Sequence, residues 1–241
     1  MASSSETGHA KNIANLNLLN TNIVALGPTY NPSNPKLLLL KLQTIYDTGF
    51  TEQESVNKLV APYTIAVDDR EIVFKPLNRE LTKLRKAYKA TDGVTPVQLQ
   101  DLMTIIRKLK GIKKSKDKPS TDPQEAQDSY STAQLSYDQR TNTMDLLIAL
   151  LKNTLNYNPN ETEYKLVTYQ DKKALMLLKT QAVANTYVPL NNARSARNST
   201  LYNADDNLVD TANKAKDYIF TILDANSAQY KAIAKIKFKK R

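Results

Sequence analysis

The stretch Thr95-Pro-Val-Gln-Leu-Gln-Asp-Leu-Met-Thr-Ile-Ile-Arg-Lys-Leu-Lys-Gly111 carries the clearest helix signal in the chain and decides its fold class. Thr95 and Gln98 have the spacing of a capping box, and Pro96 stands at the first helical position. Apolar residues then recur at intervals of three and four, the period of one helix face: Leu99, Leu102, Met103, Ile106 and Leu109. Gly111 follows where a C-terminal cap belongs. The stretch predicts an amphipathic helix over 96–111.

The rest of the chain favours helices as well. It has only five glycines and no tryptophan, and it is rich in Leu, Ala and Lys, a composition that argues against a sheet with tight turns. Thr51-Glu52-Gln53-Glu54 reads as a second capping box. We expect Pro62 and Pro76 to kink or break a long helix and Pro189 to open one. The predicted helices are 10–26, 36–48, 51–90, 96–111, 130–155, 161–187, 189–222 and 226–239. The fold class is therefore predicted to be all-α.

A shift of the sequence by 127 residues aligns 17–114 with 144–241 without a gap. Tyr30-Asn31-Pro32 then falls on Tyr157-Asn158-Pro159, and Pro62 falls on Pro189. Matching proline and Tyr-Asn-Pro positions at one fixed shift indicate an internal repeat. The prediction is two tandem, diverged helical-bundle units of about four helices each, at 1–112 and 130–241. The polar residues 113–129, with two prolines, would link them.

The chain lacks the residues that most kinds of catalytic site require. There is no cysteine, His9 is the single histidine, and the five glycines are too far apart for a phosphate-binding loop. A zinc site or a Ser-His-Asp triad would both need His9. The acidic pairs have no spacing that indicates a metal cage. We expect no enzyme, no metal and no cofactor.

No basic segment followed by an apolar run opens the sequence, so we expect no secretory signal. The strongest apolar runs, 37–40 and 146–151, are far shorter than the roughly 20 residues of a membrane span. The sequence predicts a soluble, cytoplasmic protein without a membrane span.

The net charge of +10 is concentrated in two short segments. Residues 107–118 hold seven basic residues and one acidic, and residues 231–241 hold six basic and none acidic. They could complement helix C-termini, bind the phosphates of nucleic acid, or contact a protein or an anionic membrane. The candidate anion contacts are Arg107, Lys108, Lys110, Lys113, Lys114, Lys235, Lys237, Lys239, Lys240 and Arg241.

Two further pairs of residues repeat at the 127-residue shift. Arg70 and Arg197 each follow an alanine four residues earlier, where a small side chain lets another helix approach. Each Arg could bond an acidic group or a carbonyl there, as a structural contact. Tyr30 and Tyr157 are expected to anchor loops, with hydroxyls satisfied locally.

Three stretches carry a family resemblance: Ser3-Ser4-Ser5-Glu6-Thr7-Gly8-His9-Ala10-Lys11-Asn12, Ser136-Tyr137-Asp138-Gln139-Arg140, and Tyr187-Val188-Pro189-Leu190-Asn191-Asn192-Ala193-Arg194-Ser195-Ala196-Arg197-Asn198. They resemble an uncharacterised family of small all-helical bacterial proteins. The resemblance implies a bacterial, cytoplasmic origin and transfers no catalytic or binding residue.

The sequence therefore predicts a non-enzymatic structural or protein-interaction protein that binds itself or another protein, with self-assembly as one form of that binding. This prediction rests on a repeated helical unit that lacks catalytic residues. Two similar units present two similar faces, which favours repeated contacts. The alternative is a nucleic-acid-associated protein that uses the basic ends at 107–118 and 231–241. No small-molecule substrate is apparent from the sequence.

Overall fold

The computed structural model describes residues 8–110 and 136–240. All of its regular structure is helical, and those two ranges contain no β-strand. The all-α fold class is confirmed. The α-helices are α1 (His9–Leu26), α2 (Leu39–Phe74), α3 (Leu77–Lys89), α4 (Pro96–Lys110), α5 (Tyr137–Asn153), α6 (Leu166–Asn198), α7 (Leu208–Ile222) and α8 (Ala228–Ala234).

Helix α4 begins at the predicted capping box. The Thr95 hydroxyl accepts a hydrogen bond from the Gln98 backbone N–H at 3.2 Å, and the Gln98 side chain accepts one from the Thr95 N–H at 2.9 Å. Two otherwise unpaired backbone donors are satisfied in this way. The predicted cap at Gly111 and the predicted linker 113–129 lie outside the described residues.

The predicted separation of helix 36–48 from helix 51–90 is wrong. Helix α2 is continuous through both the expected capping box at Thr51 and the expected kink residue Pro62. Pro62 is exposed, so the carbonyl that loses its partner four residues earlier can be hydrated. Pro76 does end the helix: α2 stops at Phe74, and Pro76 is the N-cap of α3.

The predicted helix start at Pro189 is also wrong. Helix α6 passes through Pro189, which is exposed like Pro62. A π-helical turn at Ser199–Asn203 follows α6, and α7 then starts at the N-cap Asn207, whose side chain accepts a hydrogen bond from the Asp210 N–H at 2.9 Å. The predicted helix 189–222 is therefore two helices with a cap between them.

Two compact units make up the molecule, and each combines segments from both halves of the sequence. The first unit contains residues 1–63 and 186–241, and the second contains residues 64–185. They do not coincide with the predicted domains 1–112 and 130–241. The reason is helix pairing: α1 packs against α7 and α8, whereas α5 packs against α4.

Each unit has its own apolar core. In the first unit the core is formed by α1, the start of α2, α7 and the C-terminal residues; its fully buried members include Leu16, Leu19, Leu42, Leu208, Ile219 and Ile233. In the second unit α3, α4, α5 and the start of α6 supply Leu81, Leu84, Tyr88, Leu102, Met144 and Met176. Burial of such side chains is the main favourable contribution to folding, at about 1.5–3 kcal/mol each.

The C-terminal residues differ from the predicted helix 226–239. Helix α8 ends at Ala234, and the following segment is non-helical. Side chains alternate along it: Ile236 and Phe238 are buried, while the lysines between and beside them are exposed. A helix would not place residues two apart on the same side, so burial of this apolar pair selects an extended backbone.

Side-chain amides from α1 hold this extended segment in place. The Asn12 amide nitrogen donates to the Lys239 carbonyl at 2.8 Å, and the Asn12 amide oxygen accepts from the Lys239 N–H at 3.2 Å. The Asn15 amide nitrogen donates to the Lys237 carbonyl at 2.8 Å. Asn12 thus pairs with both backbone groups of one residue, as a neighbouring strand would.

Candidate functional site

One turn of α6 in the second unit places a group of large apolar side chains on the surface. Leu175, Leu177 and Leu178 are 41%, 54% and 63% exposed, whereas Met176 between them is fully buried. We call Ala174, Leu175, Leu177 and Leu178 the leucine turn. Exposed apolar side chains gathered in one place are typical of an interaction surface.

Three ion pairs on either side of the leucine turn join α6 to neighbouring helices of the unit. Lys172 pairs with Glu80 of α3, Lys173 pairs with Asp145 of α5 at 2.5 Å, and Lys179 pairs with Asp69 of α2 at 2.7 Å. Partly exposed pairs of this kind contribute little stability individually. The lysines lie where α6 meets the rest of the unit, whereas the leucines are exposed.

A shallow groove of about 370 Å³ runs between α5 and α6 beside the leucine turn. Ile148, Ala174 and Leu177 give it an apolar side, and Gln170 and the Lys173–Asp145 pair give it a polar rim. An apolar centre with a polar rim is the general composition of a protein-protein interface. The groove and the leucine turn together form the candidate functional site.

Arg70 lies in the second unit in an aromatic environment. Its guanidinium carbon lies 3.8 Å from the centre of the Tyr137 ring, and the ring of Tyr137 meets Phe74 edge-on at 4.8 Å. Arg140 completes the group above Phe74 and donates to the Leu109 carbonyl at 3.0 Å. Arg70 thus makes a cation–π contact with an aromatic ring.

Arg197 is buried in the first unit, with a different set of contacts. Two of its nitrogens donate to the Asn198 side-chain oxygen, at 2.9 and 3.2 Å, and a third donates to the Gln53 side-chain oxygen at 3.4 Å. These acceptors are the side-chain oxygens of neutral amides. The structure places Arg70 and Arg197 in separate units, each inside a packed contact.

Tyr30 and Tyr157 have matching hydrogen bonds. The Tyr30 hydroxyl donates to the Leu37 carbonyl, and the Tyr157 hydroxyl donates to the Tyr164 carbonyl, both at 2.6 Å and both seven residues along the chain. This is the local contact expected of a loop anchor. Burial, with a smaller effect of Tyr218, raises the pKa of Tyr30 to about 12, and burial together with Tyr88 raises the pKa of Tyr157.

The basic residues predicted to contact anions fall into two places. Arg107, Lys108 and Lys110 stand in the last turn of α4, where the Lys110 ammonium donates to the Thr82 hydroxyl of α3 at 2.6 Å. Lys235 is the C-cap of α8 and is exposed. Lys237 and Lys239 are exposed in the extended segment that follows, and Lys240 pairs with Asp210 at 2.6 Å. Lys113, Lys114 and Arg241 lie outside the described residues.

A basic face on α3 was missed by the sequence analysis. Arg79, Lys83 and Lys86 recur at spacings of four and three, opposite the buried Leu81 and Leu84, and all three are exposed. Successive side chains at this spacing project from one side of a helix. The signal was present in the sequence, but a count of charge over short contiguous segments does not detect a helical period.

The leucine turn was also missed, although Ala174-Leu-Met-Leu-Leu178 is visible in the sequence. Five consecutive apolar residues surround a helix on all sides, and such a turn is expected to be buried entirely. Only the tertiary structure shows that, in the described part of the chain, four of these five residues are exposed.

No protein-family model matches the chain, and no curated protein or solved structure is significantly similar to it. The resemblance to small all-helical bacterial proteins stays a prediction. Within the described ranges, no helix is long and apolar enough to cross a membrane.

Proposed function

We propose that this chain is a non-enzymatic protein-interaction protein that associates with a second copy of itself through the leucine turn of α6. The observation that carries the proposal is the exposure of Leu175, Leu177 and Leu178 around the buried Met176. Covering these side chains removes apolar surface from water, which is the dominant favourable term in most protein associations.

The charges around the leucine turn suit a second copy better than an oppositely charged partner. Lys173 and Lys179 are held by carboxylates of their own chain, so the surface offers no excess charge that a partner would have to neutralise. A two-fold axis through the turn would bring the same leucines of both copies together. Such symmetric dimers are the commonest oligomers, and the uncharged centre makes the surface self-complementary.

A double substitution tests this proposal. We expect the purified protein to be a dimer by light scattering during size-exclusion chromatography, and Leu177→Glu with Leu178→Glu to give a monomer with an unchanged circular dichroism spectrum. Leu155→Glu is the matched control, because Leu155 is 75% exposed in the same unit and outside the leucine turn. A wild-type protein that stays monomeric at about 100 µM, well above the micromolar range of ordinary association, would contradict self-association.

We further propose that the two halves of the chain arose by duplication of one helical unit. Support comes from short elements at the 127-residue shift: Pro35–Leu37 and Thr162–Tyr164 are both 3₁₀ turns, and α2 and α6 begin at Leu39 and Leu166. The paired hydrogen bonds of Tyr30 and Tyr157 have the same register. A common origin accounts for equal loop geometry in segments that differ in sequence.

A second candidate function is binding of nucleic acid, and the basic face of α3 favours it. Arg79, Lys83 and Lys86 lie on one side of the helix and span about 10 Å, from the helical rise of 1.5 Å per residue. Lys110 of α4 extends the positive surface through its contact with Thr82. A continuous row of cations is the electrostatic signature of phosphate-backbone contact.

Salt dependence separates this candidate from the first. If α3 binds phosphates, the triple variant Arg79→Gln, Lys83→Gln, Lys86→Gln should bind duplex DNA with a weaker dependence on salt. The slope of log affinity against log salt should become shallower by about 2.7, at about 0.9 for each lost phosphate contact. The variant Lys235→Gln, Lys237→Gln, Lys239→Gln removes the same charge from the C-terminal segment and shows whether that segment contributes. A wild-type protein that does not bind DNA at low salt would rule this function out.

A further inference from the structure

A cleft of about 310 Å³ in the second unit lies between α3 and the start of α6. Its walls carry three cations, Arg79, Lys83 and Lys172, and two carboxylates, Glu80 and Glu163. This volume is at the lower end of the range found for small-molecule sites, and convergent polar groups are their usual mark. None of the cleft residues belongs to the leucine turn.

Tyr169 lines this cleft and also belongs to the apolar core of the second unit. The residue is only 2% exposed, but its hydroxyl is not one of the fully buried, unpaired polar atoms of the described residues. Glu80 and Tyr164 line the cleft beside Tyr169. Burial raises the pKa of Tyr169, and the hydroxyl therefore stays protonated as a donor. A hydroxyl donor at the wall of a cleft can bond a ligand oxygen.

The core does not require polar side chains at these positions. At the 127-residue shift, Tyr169 corresponds to Leu42 and Lys172 to Ile45, and both of these apolar residues are buried in the core of the first unit. The same turn of a long helix is thus packed by apolar side chains in one unit and lined by a hydroxyl and an ammonium in the other. Both polar residues line the cleft, in addition to the place of Tyr169 in the core and the pairing of Lys172 with Glu80.

We propose that this cleft binds a small ligand through an oxyanion, a phosphate or a carboxylate, held by the Tyr169 hydroxyl together with Arg79 and Lys83. Glu80 is paired with Lys172, so the charges left for a ligand are Arg79, Lys83 and Glu163, with a net charge of +1. Glu163 selects for a ligand that also carries a hydroxyl or ammonium donor. An arginine fork and a hydroxyl are common donors for such oxyanions.

The test uses inorganic phosphate and acetate as separate probes, titrated into ¹⁵N-labelled protein with chloride keeping the ionic strength constant. We expect saturable shifts of the backbone amides of residues 163–172 with at least one probe, and the stronger probe identifies phosphate or carboxylate as the source. Tyr169→Phe keeps the ring and should weaken binding about tenfold or more, the usual effect of losing a hydrogen bond to a charged group. Arg79→Gln, at an exposed position, should weaken it similarly.

Lys89→Gln is the matched control, because Lys89 is an exposed cation of the same helix that does not line the cleft. It should bind the probe as the wild type does. The proposal is overturned if neither probe gives saturable shifts, or if Tyr169→Phe and Arg79→Gln both bind like Lys89→Gln. Light scattering on the same samples keeps this result separate from self-association through the leucine turn, which none of these substitutions touches.

Discussion

Asn20 is a polar residue inside the apolar core of the first unit. It is 5% exposed, and neither its side-chain oxygen nor its nitrogen has a hydrogen-bond partner in the described part of the chain. Asn12 on the same helix is equally buried but pairs with the backbone of Lys239. A buried amide is tolerated when it is paired and costly when it is not.

We therefore expect Asn20→Leu to raise the free energy of unfolding by about 1–3 kcal/mol, the desolvation cost of an unsatisfied polar group. Urea denaturation monitored by circular dichroism measures the change. Asn17→Leu, at an exposed position of α1, should alter stability by less than about 0.5 kcal/mol. A loss of stability in Asn20→Leu would mean that the amide has a partner, such as a bound water, that the apolar side chain displaces.

The raised pKa of Tyr30 predicts that the free energy of unfolding depends on pH. Its pKa is raised from 10.0 to about 12, chiefly by burial, so the folded protein holds the hydroxyl proton more tightly than the unfolded chain. The contribution to stability is complete below pH 10 and is lost as the pH rises from 10 to about 12.

Tyr30→Phe should therefore show a smaller decrease in unfolding free energy than the wild type over that pH range. Denaturant titrations at several pH values provide the comparison. Tyr187→Phe is the control for removal of a tyrosine hydroxyl, at a residue that is 46% exposed. Parallel curves for Tyr30→Phe and the wild type would contradict a raised pKa at this position.

At the scale of the element, the C-terminal segment shows how burial selects a backbone conformation. Lys-rich residues after a helix could prolong it, but Ile236 and Phe238 both enter the core, and an extended chain is the conformation that allows this. The lysines then alternate outward and are bound to α1 through their backbone, not through their charge.

Phe238→Ala should consequently cost about 3–5 kcal/mol of stability, the usual range for a buried phenylalanine. Lys237→Ala should change the unfolding free energy by less than about 0.5 kcal/mol, because its side chain is exposed. Chemical denaturation of both variants gives the comparison. Equal effects of the two substitutions would show that the segment is not docked as described.

At the scale of the whole molecule, each compact unit needs residues from both halves of the sequence. A fragment that ends before the predicted linker would contain α1 without α7 and α8, and α4 without α5. The apolar faces of these helices would then have no partner, and isolated short helices are marginal in water.

We expect fragments 1–112 and 130–241 to be largely unfolded alone and to regain helical circular dichroism as a one-to-one complex when mixed. Size-exclusion chromatography with light scattering determines the stoichiometry, and the intact chain provides the reference spectrum. If each fragment folds cooperatively by itself, the predicted sequence domains are the folding units and the division described above is not.

The sequence by itself determined the features that depend on neighbouring residues. The capping box at Thr95, the helix that follows it and the boundary at Pro76 all rest on contacts within a few positions, so local pattern was sufficient to predict them. The 127-residue shift likewise identified Tyr30 and Tyr157, whose hydroxyls bond only seven residues along the chain. The all-α class follows from the same local signals.

The tertiary structure decided the features that depend on contacts with residues distant in the sequence or on exposure to solvent. Pro62 and Pro189 remain inside helices because they face solvent, and Arg70 meets the ring of Tyr137 from a distant helix. Met176 is buried while its neighbours Leu175 and Leu177 are exposed, a difference that five apolar residues in a row do not encode. Helical period specifies which residues share a face, but only the packing of α6 against its own neighbours specifies which face is covered.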